Sequence, residues 1–207
     1  MAHVVLLGDS VFDNAAYVGG GPDVRRQLAA ILPRESQVTL LAQDGAVMAD
    51  LAGQLERLPS GATHLVVSAG GNDALREAGV LDERARSVAE ALNKLANIAD
   101  RFSRNYAALL DALVRRKLRA AVCTIYEPRF PEPERRRVAA AALTQLNDRI
   151  TREAFARRLS LIDLRVICSQ DADFANPIEP SVRGGEKIAR AIAAFVGDPS
   201  RAVAVFT

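Results

Sequence analysis

The sequence predicts an α/β fold in which a parallel β-sheet lies between two layers of helices. Short runs rich in β-branched and other apolar residues alternate along the chain with longer segments whose apolar residues recur every three or four positions. Strands that alternate with amphipathic helices are typical of a parallel sheet covered on both faces. Because no repeat, low-complexity tract or linker divides the chain, we expect one domain at 1–198 and a short C-terminal tail at 199–207.

The elements follow in order from these patterns. Strands are predicted at 3–8, 37–42, 64–69, 119–125 and 159–164. Helices are predicted at 22–32, 46–58, 84–117, 132–158 and 184–196. The most regular helix carries apolar residues in steps of three and four from Val88 to Leu113, which predicts one long stripe laid against the sheet. Residues 201–206 of the tail are predicted to be a strand that adds to a sheet edge, either of this chain or of a partner.

Composition and charge exclude several classes of protein. The chain has 207 residues, of which 49% are hydrophobic, and this is enough for a full core. Its 27 basic and 25 acidic residues give a net charge of +2, so nothing indicates a nucleic-acid partner. No apolar tract approaches the length of a membrane span.

The cellular compartment is inferred from the start of the chain and from its cysteines. The first strand begins almost at once, without the basic start and apolar segment of a secretory signal. Cys123 lies in a predicted strand and Cys168 in a later loop, without the spacing of a disulfide framework. We therefore expect a cytoplasmic protein with reduced thiols.

Four polar turns follow predicted strands and are the candidates for chemistry. Their sequences are Gly8-Asp9-Ser10, Asp44-Gly45-Ala46, Gly70-Gly71-Asn72-Asp73 and the segment Asn176-Pro177-Ile178-Glu179-Pro180-Ser181. In an open parallel sheet, ligands bind outside the carboxyl ends of the strands. The serine hydroxyl and the asparagine amide are therefore expected to open onto one crevice.

Neither histidine of this chain can activate Ser10. His3 and His64 stand at the starts of the first and third strands. At roughly 3.3 Å per residue, His3 lies about 23 Å from Ser10, and His64 lies about 20 Å from Gly70. A general base must come within about 3 Å of the proton that it removes.

These blocks together resemble the SGNH (GDSL) hydrolases, whose signatures are GDS followed by D or N, a glycine after the second strand, a GxND turn and a DxxH motif before the last helix. The resemblance covers nearly the whole chain and implies a flavodoxin-like, five-stranded sheet of order 2-1-3-4-5. It also implies that Ser10 is the nucleophile. An oxyanion hole is implied at the Ser10 amide, the Gly45 amide and the Asn72 side chain.

The last block departs from the family pattern. Asn176 takes the position of the aspartate and Glu179 that of the histidine. One interpretation is a site that has lost its chemistry and only binds a ligand. The other interpretation is that Glu179 is the base. It is supported by the charge of the site, because an ionised glutamate with an asparagine carries one negative charge, as a neutral histidine with an ionised aspartate does. In that arrangement Asn176 donates its amide hydrogen to one Glu179 oxygen, and Ser10 donates to the other.

The predicted function is hydrolysis of a small acyl ester through an acyl-serine intermediate, with Ser10, Glu179 and Asn176 as the catalytic residues. The first alternative is an impaired relative that binds an acyl or carbohydrate ligand. The second is a flavodoxin-like mononucleotide module, but the turn after the first strand lacks the Ser/Thr/Gly run of a phosphate loop.

Other site features have simpler roles. Asp9 and Asp13 are both possible pocket residues. Asp9 is expected to tie down its own turn as well, and the alternative for Asp13 is that it caps the segment that follows. No metal or cofactor is indicated, because no His, Cys and Asp cluster has ligand spacing. The expected partner is a small-molecule ester, and the oligomeric state stays open.

Overall fold

A computed structural model describes residues 1–198, 200 and 203–207 of the chain. The strands are β1 (His3–Gly8), β2 (Gln37–Leu40), β3 (His64–Ser68), β4 (Arg119–Cys123), β5 (Ser160–Ile162) and β6 (Val205–Phe206). The helices are α1 (Val24–Ile31), α2 (Leu51–Glu56), α3 (Gly71–Arg76), α4 (Val88–Val114), α5 (Pro133–Ala156), α6 (Leu164–Ile167) and α7 (Val182–Gly197). The predicted α/β class is confirmed.

All strands pair in parallel in one sheet, in the order β2-β1-β3-β4-β5-β6. The first five strands have the expected order 2-1-3-4-5. The sixth strand comes from the tail and adds to the sheet of this chain beside β5, where Leu161 pairs with Val205 and Ile162 with Phe206. Of the predicted tail strand, residues 201 and 202 lie outside the described residues.

The alternation of side chains along β1 divides the core into two layers. Val4 and Leu6 face one side of the sheet, where they pack with residues of α1, α6 and α7. Val5 and Leu7 face the other side and pack with residues of α2, α4 and α5. Because every one of these side chains is fully buried, both faces of the sheet are covered, as a parallel sheet requires.

The long apolar stripe of α4 does not lie against the sheet along its whole length, so this part of the prediction is wrong. The stripe is buried from Ala99 to Leu113. At the start of the helix, Val88 is 77% exposed and Leu92 is 53% exposed. The first turns of α4 therefore extend past the covered part of the core.

Two short helices were not predicted. α3 begins at Gly71, immediately after β3, in a segment that had been assigned to a polar turn. α6 begins at Leu164, where the predicted fifth strand would have ended. Within the described ranges, no helix combines the length and the apolar character needed to cross a membrane.

Candidate active site

The candidate site lies at the carboxyl ends of β1 and β3, where the two strands come very close together. Gly8 ends β1 and is paired with Ser68 at the end of β3. Its φ is +126°, and a β-carbon here would lie 1.7 Å from the carbonyl oxygen of Ser68. Only glycine fits this position, because any side chain would push the strands apart.

A buried glutamine that the sequence analysis missed completes the hydrogen bonding of Gly8. The Gly8 amide donates to Gln54 Oε1 at 2.7 Å, and Gln54 Nε2 donates to the Gly8 carbonyl at 2.8 Å. Gln54 lies on α2 and is 1% exposed. A single polar residue on the buried face of a predicted helix would have been the signal, since such a residue needs a partner.

Asp9 shapes the turn that presents Ser10. Its carbonyl oxygen accepts the amides of Phe12 and Asp13 at 3.2 and 3.1 Å. Its Oδ1 accepts the Val11 amide at 3.2 Å and the Ser68 hydroxyl at 3.3 Å. Burial raises the pKa of Asp9 to about 7, and the nearby charge of Glu179 contributes to this rise. The expectation that Asp9 ties down its own turn agrees with these contacts.

Ser10 and Glu179 are joined by a hydrogen bond, although 169 positions separate them in the sequence. The Ser10 hydroxyl donates to Glu179 Oε1 at 3.2 Å. Both residues are buried, and Glu179 Oε2 is a buried atom with no hydrogen-bond partner in the described part of the chain. Burial raises the pKa of Glu179, the bond from Ser10 opposes this rise, and the charge of Asp44 adds to it.

Asn176 holds the backbone of the loop that carries Glu179. Its Oδ1 accepts the amides of Ile178 and Glu179, both at 2.9 Å. The predicted bond from the Asn176 amide to the Glu179 carboxylate is therefore wrong. The short side chain of Asn176 forms a turn with the backbone two and three residues ahead, which is a common use of asparagine.

Further contacts fix the same loop from two sides. The backbone of Ala175 donates to the Glu179 carbonyl at 2.8 Å. From the loop after β4, the Tyr126 hydroxyl donates to the Ile178 carbonyl at 2.5 Å, and the Arg129 amide donates to the Pro177 carbonyl at 2.7 Å. These bonds limit the movement of Glu179 relative to Ser10.

The groups expected in the oxyanion hole lie around the same turn. Within the residues that the structure describes, the backbone amides of Ser10 and Gly45 have no acceptor. Asn72 Nδ2 donates to the Ala46 carbonyl at 2.9 Å, which places it beside the loop of Gly45 and leaves its second amide hydrogen available. Ser10 and Asn72 line one cavity with Glu179, whereas Gly45 is not among its lining residues.

Asp13 holds the loop of Gly45 and does not line the cavity. Its Oδ2 accepts the amide of Asp44 at 3.0 Å. The Asp44 carboxylate in turn accepts the Tyr17 hydroxyl at 2.7 Å. Of the two roles considered for Asp13, pocket lining is wrong. It does bind a backbone amide, but in a distant loop and not in the segment that follows it.

The cavity beside Ser10 has a volume of about 820 Å³, which lies in the range of small-molecule sites. It extends from Ser10, Asn72 and Glu179 along α3, α4 and α5. Its apolar wall includes Leu75, Ala78, Val80, Leu81, Leu95, Ile98, Ile125, Val138, Ala139, Ala142, Leu143 and Leu146. Sequence reasoning did not find this cavity, because its wall depends on how three helices meet.

This arrangement suits attack on an acyl group. A serine hydroxyl bonded to a buried carboxylate can lose its proton as it attacks. Ser10 and Asn72, which line the same cavity, carry N–H groups of the kind that can stabilise an oxyanion. His3 and His64 lie at the opposite ends of their strands, so neither imidazole is close to Ser10. Within the described part of the chain, no group of three or more His, Cys, Asp and Glu side chains is arranged to hold a metal ion.

Comparisons with known proteins identify the family and the fold of this chain. A sequence model described as the GDSL-like Lipase/Acylhydrolase family matches residues 6–185, which is well over half of the chain. No curated protein matches the chain in a sequence search.

Several solved structures have the same fold. An extracellular lipase from Streptomyces rimosus is 17% identical, with a TM-score of 0.68, over 95% of this chain and 98% of the lipase. A phospholipase A1 from Streptomyces albidoflavus NA297 is 22% identical, with a TM-score of 0.63, over 94% of this chain and 98% of the phospholipase. An acetyl xylan esterase from Geobacillus stearothermophilus is 18% identical, with a TM-score of 0.64, over 95% of this chain and 94% of the esterase.

Proposed function

Since this chain belongs to the GDSL-like lipase/acylhydrolase family, we propose that it hydrolyses acyl esters with Ser10 as the nucleophile and Glu179 as the general base. The single observation that carries the proposal is the 3.2 Å hydrogen bond from the Ser10 hydroxyl to Glu179 Oε1. The family is one of hydrolases, and this bond supplies the contact between nucleophile and base that acyl transfer needs.

The reaction proceeds in two halves. Ser10 Oγ attacks the ester carbonyl carbon while its proton passes to Glu179, and the carbonyl π electrons move to oxygen. The Ser10 amide, the Gly45 amide and Asn72 Nδ2 hold this oxyanion. The C–O bond of the alcohol then breaks, and Glu179 returns the proton to the leaving oxygen, which gives an acyl-Ser10.

Water completes the cycle by the same route. Glu179 takes a proton from the attacking water, a second oxyanion forms in the same hole, and the proton returns to Ser10 Oγ as the acid leaves. Acyl-Ser10 has no hydroxyl proton to donate, so Glu179 Oε1, which accepts the Ser10 hydroxyl in the free enzyme, becomes available to accept from the attacking water.

A carboxylate is a weaker base than an imidazole, because the pKa of a model glutamate is about two units below that of a histidine. Burial raises the pKa of Glu179, and the charge of Asp44 adds to the rise. Catalytic carboxylates commonly have their pKa raised in this way.

Asn176 carries no charge, so it does not repel the ionised base. It serves as a positioning residue through the backbone.

The proposal is tested by hydrolysis of p-nitrophenyl butyrate by the wild type, Ser10→Ala and Ser169→Ala. Ser169 is exposed and does not line the cavity, so it is the matched control. Loss of turnover in Ser10→Ala alone is the expected result. An unchanged rate in Ser10→Ala would favour the alternative, an impaired relative that binds an acyl or carbohydrate ligand.

A further inference from the structure

One face of α5 contributes a row of aliphatic side chains to the wall of the cavity beside Ser10. Val138, Ala139, Ala142, Leu143 and Leu146 all line the cavity, and their spacing of one, three, one and three residues places them on one face of the helix. Leu95 and Ile98 of α4 line it as well. The result is a groove with a polar end at Ser10 and an apolar wall beyond it.

Large apolar side chains in this groove remain partly exposed. Leu75 is 43% exposed and Val138 is 40% exposed, although both line the cavity. On α4, the exposed residues Val88 and Leu92 lie on the same face of the helix as Leu95. The steps from Val88 to Leu92 and from Leu92 to Leu95 are four and three positions. Contiguous exposed apolar surface of this kind marks a binding groove, and an apolar ligand gains free energy by covering it.

The groove lies on the acyl side of the ester. Glu179 must return its proton to the leaving oxygen, so the alcohol departs on the side of Glu179. A polar region lies outside the groove beside the Ser10 turn: Asp44 does not line the cavity, is exposed, accepts the Tyr17 hydroxyl and donates its amide to Asp13. The alcohol therefore leaves through a polar region, and the acyl chain is left to lie along α5.

The size and charge of the groove limit which acyl chains of a substrate it can bind. An acetyl group would fill only a small part of about 820 Å³. The charged residues of the lining are the acids Glu77, Asp82, Glu132 and Glu134 and the base Arg135, besides Asp9 and Glu179 at the polar end. This excess of acidic side chains disfavours binding of an acyl chain whose far end carries a negative charge.

From these observations we propose that the acyl group of the substrate is an uncharged aliphatic chain of medium length or longer, and that Ala142 on α5 leaves the room for it. The proposal rests on the proposed function, because it assigns a substrate class to the same site. It differs from the small acyl group that the sequence analysis predicted.

The test measures kcat/KM for p-nitrophenyl esters from acetyl to decanoyl. In the wild type, kcat/KM should rise by up to about fourfold for each added methylene until the groove is filled. Ala142→Leu should lower the rate with the octanoyl ester by about 5- to 150-fold, while the rate with the acetyl ester stays within about twofold. Ala141→Leu is the matched control, because Ala141 is exposed on the same helix and does not line the cavity.

A second measurement separates failure of this proposal from failure of the proposed function. Binding of 1-octanol and 1-butanol to Ser10→Ala is compared with binding to the double variant Ser10→Ala/Ala142→Leu by calorimetry. The longer alcohol should bind more tightly, and the double variant should lose that advantage. If no ester is hydrolysed but octanol binds in this way, the catalytic proposal fails and the groove assignment stands.

Two results would overturn the proposal while leaving ester hydrolysis intact. One is a rate that is flat or falls with chain length in the wild type. The other is an equal loss of octanoyl ester hydrolysis in Ala142→Leu and Ala141→Leu. A flat profile together with a dimer that Ala142→Leu dissociates would assign the groove to a second copy of the chain.

Discussion

The side-chain amide of Asn14 donates a hydrogen bond to the carbonyl oxygen of Pro180 at 3.2 Å. This bond ties the turn that carries Ser10 to the loop that carries Glu179. Asn14 is fully buried, and its Oδ1 accepts the amide of Val24 at 3.0 Å at the start of α1. One side chain thus joins the nucleophile turn, the first helix and the loop of the base.

Asn14→Ala is expected to lower both stability and turnover. It leaves a buried amide and a buried carbonyl unpaired, which costs about 1–3 kcal/mol for each group. Because the loop of Glu179 is released, kcat should fall more than KM changes. Urea denaturation and steady-state kinetics measure the two effects.

Gln27→Ala is the matched control for this variant. Gln27 is also a buried amide, and it donates to the carbonyl groups of Pro22 and of Val182, the first residue of α7, and not to Pro180. It should lower stability without a specific loss of kcat. An equal fall of kcat in both variants would show that Asn14 acts through stability alone.

Asp9→Asn is expected to increase stability at high pH. The pKa of Asp9 is raised from 3.8 to about 7 in the folded protein. Between these values the folded chain holds a proton that the unfolded chain has released, so stability falls as pH rises through this interval. Asparagine keeps an oxygen for the bonds from Val11 and Ser68 and does not ionise.

The two proteins should therefore have similar stability near pH 4, and the variant should be more stable near pH 8, by up to about 4 kcal/mol. Urea midpoints at pH 4, 6 and 8 measure this difference. A stability difference that does not change with pH would contradict a raised pKa at Asp9.

Asn72→Ala is expected to lower kcat by about 10²–10³, as the loss of one oxyanion donor does. The ground-state ester depends less on this donor than the oxyanion does, so KM should change little. Asn93→Ala serves as the control, because Asn93 is exposed on α4 and does not line the cavity. If Asn72→Ala kept the kcat of the wild type, the oxyanion hole would have to be assigned to other groups.

Two substitutions at Asn176 separate its backbone role from its lack of charge. Asn176→Ala removes the acceptor for the amides of Ile178 and Glu179, so kcat should fall at every pH. Asn176→Asp keeps that acceptor but adds a carboxylate near Glu179, which raises the pKa of the base. The kcat of Asn176→Asp should rise to the same plateau as that of the wild type, but the rise should occur at a higher pH. Identical pH profiles of kcat for all three proteins would remove Asn176 from the mechanism.

The strands and the large helices could be predicted from local patterns. Each of the first five strands is a short apolar run, and its position agrees with the structure to within a few residues. Predicted boundaries were less accurate where tertiary contacts decide them. The α-helical part of α2 starts at Leu51 and not at 46, because residues 48–50 form a 3-10 turn whose Met48 amide is held by Asp73 from α3.

The candidate site could be predicted only in part. Ser10 and Asn72 follow strand ends, so their meeting at one cavity was expected from the topology. Glu179 lies well beyond the end of β5, and its place in the site was expected from the resemblance to the SGNH hydrolases. Asn14 and Gln54 bond the backbone of distant segments, and no sequence pattern identifies those partners. Asn176 bonds the backbone of its own loop instead of the Glu179 carboxylate. The groove along α5 depends on the packing of α3, α4 and α5, and a helical pattern does not show which apolar residues stay uncovered. The cytoplasmic location stays a prediction.

The central claim is that Glu179 activates Ser10, and the rate at which a fluorophosphonate modifies Ser10 tests it most directly. Wild type and Glu179→Gln are compared, because glutamine keeps the shape of the side chain but cannot accept the proton. The adduct should lie on Ser10 by mass spectrometry, and its rate of formation should fall by about 10²–10⁴ in Glu179→Gln, the usual contribution of a general base. Equal rates of modification in the two proteins, or a wild type without an adduct on Ser10, would contradict the account.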